Sequence, residues 1–239
     1  MLRISRFFII FTVFLWLGAN QTAISAAEEA LESEATEAKA MCVLGKKIRS
    51  FPFYVYKDGR SSENHFYPSG NMGDLKSVAV DTHNNESPYS GSSCIKIKYQ
   101  AYKDISRSWA GLYWQYPAYN WGTIAKAYDL TGAKKLTFWA RGERGGEVIS
   151  KFQVGGITGE FRDSGVSSIG PVKLSKQWRQ YTIDLSGLGD SIIIGNEDKE
   201  CWPFLRPLSR IIGGFCWATS MAANKDNGIV FYLDEIKFE

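Results

Sequence analysis

Ser108–Gly122 reads S-W-A-G-L-Y-W-Q-Y-P-A-Y-N-W-G, and after a short spacer Tyr128–Arg141 reads Y-D-L-T-G-A-K-K-L-T-F-W-A-R. Nine aromatic rings fall here: Trp109, Tyr113, Trp114, Tyr116, Tyr119, Trp121, Tyr128, Phe138 and Trp139. Nowhere else in the chain are rings packed so densely beside Gly, Asn and Gln. A core needs some of them. Core rings are not usually interleaved with Gln115, Asn120 and Arg141, so the stretch predicts part of a β-sandwich that carries a binding surface. In the run 109–116, Trp109, Gly111 and Tyr113 share one parity, and Leu112, Trp114 and Tyr116 share the other. One set must face inward, because side chains alternate across a strand.

The same texture extends on both sides. From Phe51 onward, short runs rich in β-branched and aromatic residues are separated by Gly, Asn, Asp, Ser and Pro. This is the all-β pattern. Strands are expected near 51–56, 77–81, 93–99, 109–116, 135–141, 148–154, 180–185, 211–219 and 229–238. Ile95-Lys96-Ile97-Lys98-Tyr99 alternates cleanly, with one face buried and one wet. Val230–Phe238 alternates too, but breaks at Asp234-Glu235. About nine strands over residues 49–239 make a β-sandwich, with a jelly roll the favoured architecture.

Upstream the character differs. Arg3 and Arg6 precede an apolar run, Phe7–Ala19, and Ala23–Ala27 supplies small residues for cleavage. Residues 1–26 therefore read as a secretory signal. The apolar run is short of the about 20 residues that a span requires. No stable membrane span is expected after cleavage, and the expected location is secreted, periplasmic or cell-surface. Residues 27–48 open with the Ala- and Glu-rich run Ala27–Ala40, which has good helix propensity and almost no apolar face. This segment is expected to be a solvated tether.

Without residues 1–26 the chain keeps 26 Lys and Arg against 25 Asp and Glu. The basic residues are scattered among acids, so no nucleic-acid partner is expected. Cys42, Cys94, Cys201 and Cys216 allow two disulfides in three connectivities, or buried free thiols. The absence of C-x-x-C speaks against zinc. Only His65 and His83 are present, with neither G-x-S-x-G nor H-E-x-x-H. Those absences remove the serine-hydrolase and zincin signatures.

Several segments together resemble the galactose-binding-like, jelly-roll carbohydrate-binding modules of secreted bacterial proteins. They are Y-K-D-G at Tyr56–Gly59, H-F-Y-P-S-G-N-M-G-D at His65–Asp74, S-G-S-S-C-I-K-I-K-Y at Ser90–Tyr99 and W-A-G-L-Y-W-Q at Trp109–Gln115. To these are added Tyr128–Gly142, G-G-F-C-W at Gly213–Trp217 and F-Y-L-D-E-I at Phe231–Ile236. The resemblance covers nearly all of residues 51–239. It implies a carbohydrate partner, polysaccharide or envelope glycan. It also implies a structural calcium where the first and last strands meet, with Asp58 and Asp234 as the matching positions and Asp81 a weaker third. Lys57 stands where a second acid would help a cation.

A sugar binds by laying its C–H face on an aromatic ring while polar groups take its hydroxyls. Covering about 50 Å² per ring contributes about 1 kcal/mol. Trp114, Tyr116 and Trp121 are the candidate platforms, with Trp217 either a platform or core, while Trp109, Tyr113 and Trp139 are assigned to the core. Arg141, Glu147 and Gln153 are the candidate polar partners. Arg141 and Glu147 would meet if the runs on either side of Gly142–Gly146 formed a hairpin, either as hydroxyl partners or as a structural ion pair. The expected function is glycan binding without catalysis, and no catalytic residue is assigned. The alternatives are a glycoside-active enzyme on the same fold, drawing on Glu147, Glu160, Asp163 or Asp184, and an envelope protein-interaction domain.

Overall fold

The structure is a computed structural model that describes residues 24–25, 27–33, 44–100, 108–188, 205–225 and 227–239. The chain divides into two compact units, Met1–Cys42 and Val43–Glu239. In the first, residues 27–33 are helical and exposed. The signal-like run before residue 24 and the cysteines Cys42 and Cys201 lie outside the described residues. Among the described residues no helix is long and apolar enough to cross a membrane.

The second unit is a β-sandwich. One sheet has five strands in the order β11 (Val166–Ile169), β10 (Lys151–Gly155), β14 (Gly213–Ser220), β6 (Trp109–Gln115) and β3 (Tyr67–Gly73). The other has six. Five run in the order β13 (Arg179–Asp184), β8 (Lys135–Gly142), β15 (Ile229–Phe238), β5 (Cys94–Tyr99) and β4 (Val78–Asn84), and β2 (Phe53–Tyr56) adds to the end of β15. Two small pairs complete the set. β1 (Lys46–Lys47) runs parallel to β7 (Tyr128–Asp129), and β9 (Val148–Ile149) runs antiparallel to β12 (Val172–Lys173). The folded unit thus begins within the segment that composition assigns to the tether.

Rings from the two inner faces interdigitate. Phe138 of β8 lies 4.7 Å from Phe152 of β10 and 5.1 Å from Phe215 of β14. Trp217 of β14 meets Phe231 of β15 edge-on at 5.2 Å. Trp217 is fully buried here, which decides its alternatives in favour of the core. All nine expected strands are present, and the run 148–154 is split into β9 and β10 at Ser150.

β3 went unpredicted, since Y-P-S-G-N-M-G reads as a turn. It is tolerated because it is an edge strand, with a register shift between Pro68 and Gly70. The break in alternation at Asp234-Glu235 is a bulge. The register of β15 shifts there, and Glu235 has φ 49°.

One expectation of proximity fails. β8 and β10 lie in opposite sheets, so the connection Glu143–Glu147 crosses between sheets and forms no hairpin. Arg141 and Glu147 are therefore not partners. Cys94 and Cys216 are buried free thiols in different sheets, and burial pushes both up to about 12.

Candidate functional site

β6 decides where a ligand can sit. Ala110, Leu112 and Trp114 join the inner core, and Trp114 is 1% exposed, edge-on to Phe215 at 5.8 Å. The other parity, Trp109, Gly111 and Tyr113, faces outward, with Trp109 46% exposed. This corrects the assignment of Trp114 as a platform and of Trp109 as core, while Tyr113 is buried as assigned, in a second cluster on the outer face. Trp114 carries two apolar neighbours of its own parity inward, Ala110 and Leu112, whereas the other set includes Gly111 and Gln115.

The outer face of the five-stranded sheet is built from register partners. Trp109 lies opposite Ser220, Gly111 opposite Ala218, and Tyr113 opposite Cys216. On the far side of β14, Lys151 pairs with Ala218 and Gln153 with Cys216, and on the near edge Met72 pairs with Gly111. The centre of this face therefore holds small side chains, flanked by Trp109 and Met72 on one side and the exposed Lys151 on the other. A Cβ on Gly111 would lie 2.8 Å from both Met72 Cε and the Trp217 carbonyl oxygen, so only glycine fits.

One half of the face is covered. Tyr113 and Cys216 pack with Ala127, Ile157 and Ile212 in a small outer cluster. Gln153 is buried in it and donates to the Tyr113 hydroxyl and, at 2.8 Å, to the Gly155 carbonyl. The covering loops are held by two side chains. The Asp163 carboxylate accepts the amides of Ile157 at 2.9 Å and Ile212 at 2.5 Å, with Gly213 at 3.4 Å. Complete burial pushes this carboxyl up to about 7, against those amides and the Arg210 charge. Asn120 Oδ1 accepts the amides of Gly122, Thr123 and Ile124 at 3.0–3.1 Å, and its Nδ2 donates to the Ile124 and Lys126 carbonyls. That turn presents Trp121, which is 40% exposed and edge-on to Tyr113 at 6.0 Å.

Trp121 is thus presented at the surface over Tyr113, while Gln153 lies buried beneath, engaged with Tyr113 and Gly155. Tyr116 is elsewhere. It is half-buried, stacked on Tyr128 at 4.1 Å and packed on the main core. Arg141 is on the outer face of the six-stranded sheet. It lies 3.7 Å from the Tyr232 ring centroid and 5.3 Å from that of Trp178, and donates to the Glu86 carbonyl. Tyr89 stacks on Trp139 nearby at 3.7 Å, so Trp139 packs on the outer surface and not in the core. Glu147 lies at the crossing between sheets. Of the other acids, Asp163 is enclosed and engaged by amides, Glu160 is exposed, and Asp184 accepts from Ser186 at the end of β13.

Asp58 and Asp234 both clamp the loop before β5. Asp58 accepts from the Ser92 amide at 2.6 Å and the Ser93 hydroxyl at 2.7 Å. Burial raises this carboxyl, but those hydrogen bonds outweigh it and hold the group at about 2. Asp234 accepts the amides of Tyr89, Ser90 and Glu235 at 2.9–3.1 Å, while burial pushes it up to about 7. Their lone pairs are directed at N–H and O–H donors, which compete with a cation. Among the described residues no three His, Cys, Asp or Glu side chains converge as metal ligands. The pair does not fit a calcium cage.

No protein-family model matches the sequence, and no match is found among curated proteins. Solved structures do match in fold. A family 30 carbohydrate-binding module of a cellulosomal cellulase of Clostridium thermocellum is similar at 16% identity with a TM-score of 0.50, over 80% of this chain and 98% of that one. A second family 30 carbohydrate-binding module is similar at 15% identity with a TM-score of 0.50, over 80% of this chain and 99% of that one. The fold is that of carbohydrate-binding modules, as the sequence resemblance implies.

Proposed function

We propose that this chain is an exported glycan-binding protein that acts without catalysis, through the open half of the outer face of the five-stranded sheet. The observation that carries the reading is the half-exposed Trp109 beside a floor of Gly111, Ala218 and Ser220, with Lys151 across from it. A flat ring edged by small residues accepts the apolar face of a sugar, and the Ser220 hydroxyl and Lys151 ammonium meet its hydroxyls. Trp121 extends the platform over Tyr113. Each ring contributes about 1 kcal/mol, so two rings with hydrogen bonds give affinities of about millimolar to micromolar. The fold shared with carbohydrate-binding modules supports the reading.

Affinity electrophoresis against a panel of soluble polysaccharides tests it. The wild type is expected to be retarded by at least one polymer. Trp109→Ala and Trp121→Ala should each weaken that binding about fivefold, while Trp139→Ala on the opposite sheet leaves it unchanged. Retardation by no glycan sinks the function. Loss with Trp139→Ala and not with Trp109→Ala sinks the location. Release of reducing sugar by the wild type contradicts the non-catalytic part.

A further inference from the structure

The crossing between sheets encloses a cleft of about 340 Å³, and three elements bring basic side chains to it. Arg144 comes from the crossing itself, Lys173 from β12, and Lys225 from the turn after β14. Among the described residues neither Lys173 nor Lys225 has an ion-pair partner. Asp226, which follows Lys225, lies outside the described residues. Glu147 lines the same cleft and is 3% exposed. Its Oε1 accepts the Arg144 amide at 2.8 Å, and its Oε2 has no hydrogen-bond partner. The Arg144 guanidinium lies 3.9 Å from Oε1, so this carboxylate is partly compensated and the two lysines remain as the uncompensated charges of the cleft.

The frame is firm. Asn224 accepts the Val148 amide at 2.8 Å and donates to the Val148 carbonyl at 3.0 Å, tying the Lys225 turn to the crossing. It also adjoins the trough. Ser220 lies opposite Trp109, and the next residue, Met221, donates its amide to the Ser108 carbonyl at 3.0 Å.

We infer that this cleft is a subsite for an acidic sugar unit, a uronic acid residue of the glycan held by the trough. The inference rests on the reading of that trough as a glycan site. The volume suits one small ligand unit. Lys173 and Lys225 take the sugar carboxylate, with Arg144 at the rim. Glu147 repels a second carboxylate, so it fixes the orientation: the sugar carboxylate turns toward the lysines and the ring hydroxyls toward Glu147.

The test compares homogalacturonan, the same polymer with its carboxyls methyl-esterified, and polyglutamate, by titration calorimetry at low and high salt. The wild type is expected to bind homogalacturonan about fivefold to tenfold tighter than the ester. The preference should shrink in high salt. Lys173→Ala with Lys225→Ala should abolish it while leaving ester binding, and its loss with Trp109→Ala, intact. Equal binding of the two polymers, or a preference that survives the double substitution, overturns the acidic subsite and leaves the trough reading standing. Polyglutamate binding as tightly as homogalacturonan overturns it as well, since a general polyanion surface then explains the lysines. If neither pectin form binds and no neutral glycan binds either, both readings fall.

Discussion

Trp109 and Trp114 stand five residues apart on one strand and do opposite jobs. Trp114 fills the sandwich core against Phe215. Trp114→Ala is therefore expected to lower the unfolding free energy by about 3–5 kcal/mol, while Trp109→Ala changes it by less than about 0.5 kcal/mol. Urea denaturation followed by fluorescence separates the two. The parity was legible in principle. Gln115 shares the parity of Trp109, and a polar amide marks the outward set. Its burial obscures this, since Gln115 is enclosed by hydrogen bonds to Ser69 and the Asn120 carbonyl.

Asp163 gives a second residue-scale prediction. Its carboxyl sits near 3.8 when unfolded and is raised to about 7 by burial when folded. Between those values the native state keeps a proton that the unfolded state has released, so stability falls as pH rises from about 4 to 7. Asp234 acts in the same direction. Thermal midpoints should decline across that range, and Asp163→Asn, which cannot ionise, should flatten the decline. An unchanged slope in the variant contradicts the assignment.

At the scale of elements, β15 carries the clearest match of sequence to structure. The interrupted alternation at Asp234-Glu235 is the bulge, and Glu235 takes a left-handed conformation that disfavours a side chain. Glu235→Gly is expected to leave stability unchanged or raise it by up to about 1 kcal/mol, whereas Glu235→Val lowers it. Chemical denaturation of the pair checks this. β3 was not legible, because its Pro and Gly are tolerated only by an edge position that pairing with β6 creates. The proposed Arg141–Glu147 contact failed for a related reason. Glycines between two strand-like runs fit a hairpin or a crossing equally well, and local sequence does not choose between them.

For the whole molecule, the meeting of the first and last strands is tied by carboxylates to loop donors. Adding a chelator should leave the thermal midpoint unchanged, while Asp58→Ala should lower it by removing the partner of Ser92 and Ser93. A chelator-induced drop would restore calcium.

The sandwich itself was readable because it rests on local physics. Period-two alternation, β-branched and aromatic runs, and turn residues act within a few positions. The site was only half readable. Trp121 is a candidate that the structure leaves exposed, whereas Gln153 is buried under Tyr113, and the sequence assigns Trp109 to the core. Which face of β6 looks outward depends on its pairing with β3 and β14, segments far apart in the chain. Which half of that face stays open depends on loops pinned by Asp163 and Asn120. Alternation says that one side of a strand is buried. Only the assembled sheets decide which side, because burial belongs to the neighbours a strand acquires and not to the strand.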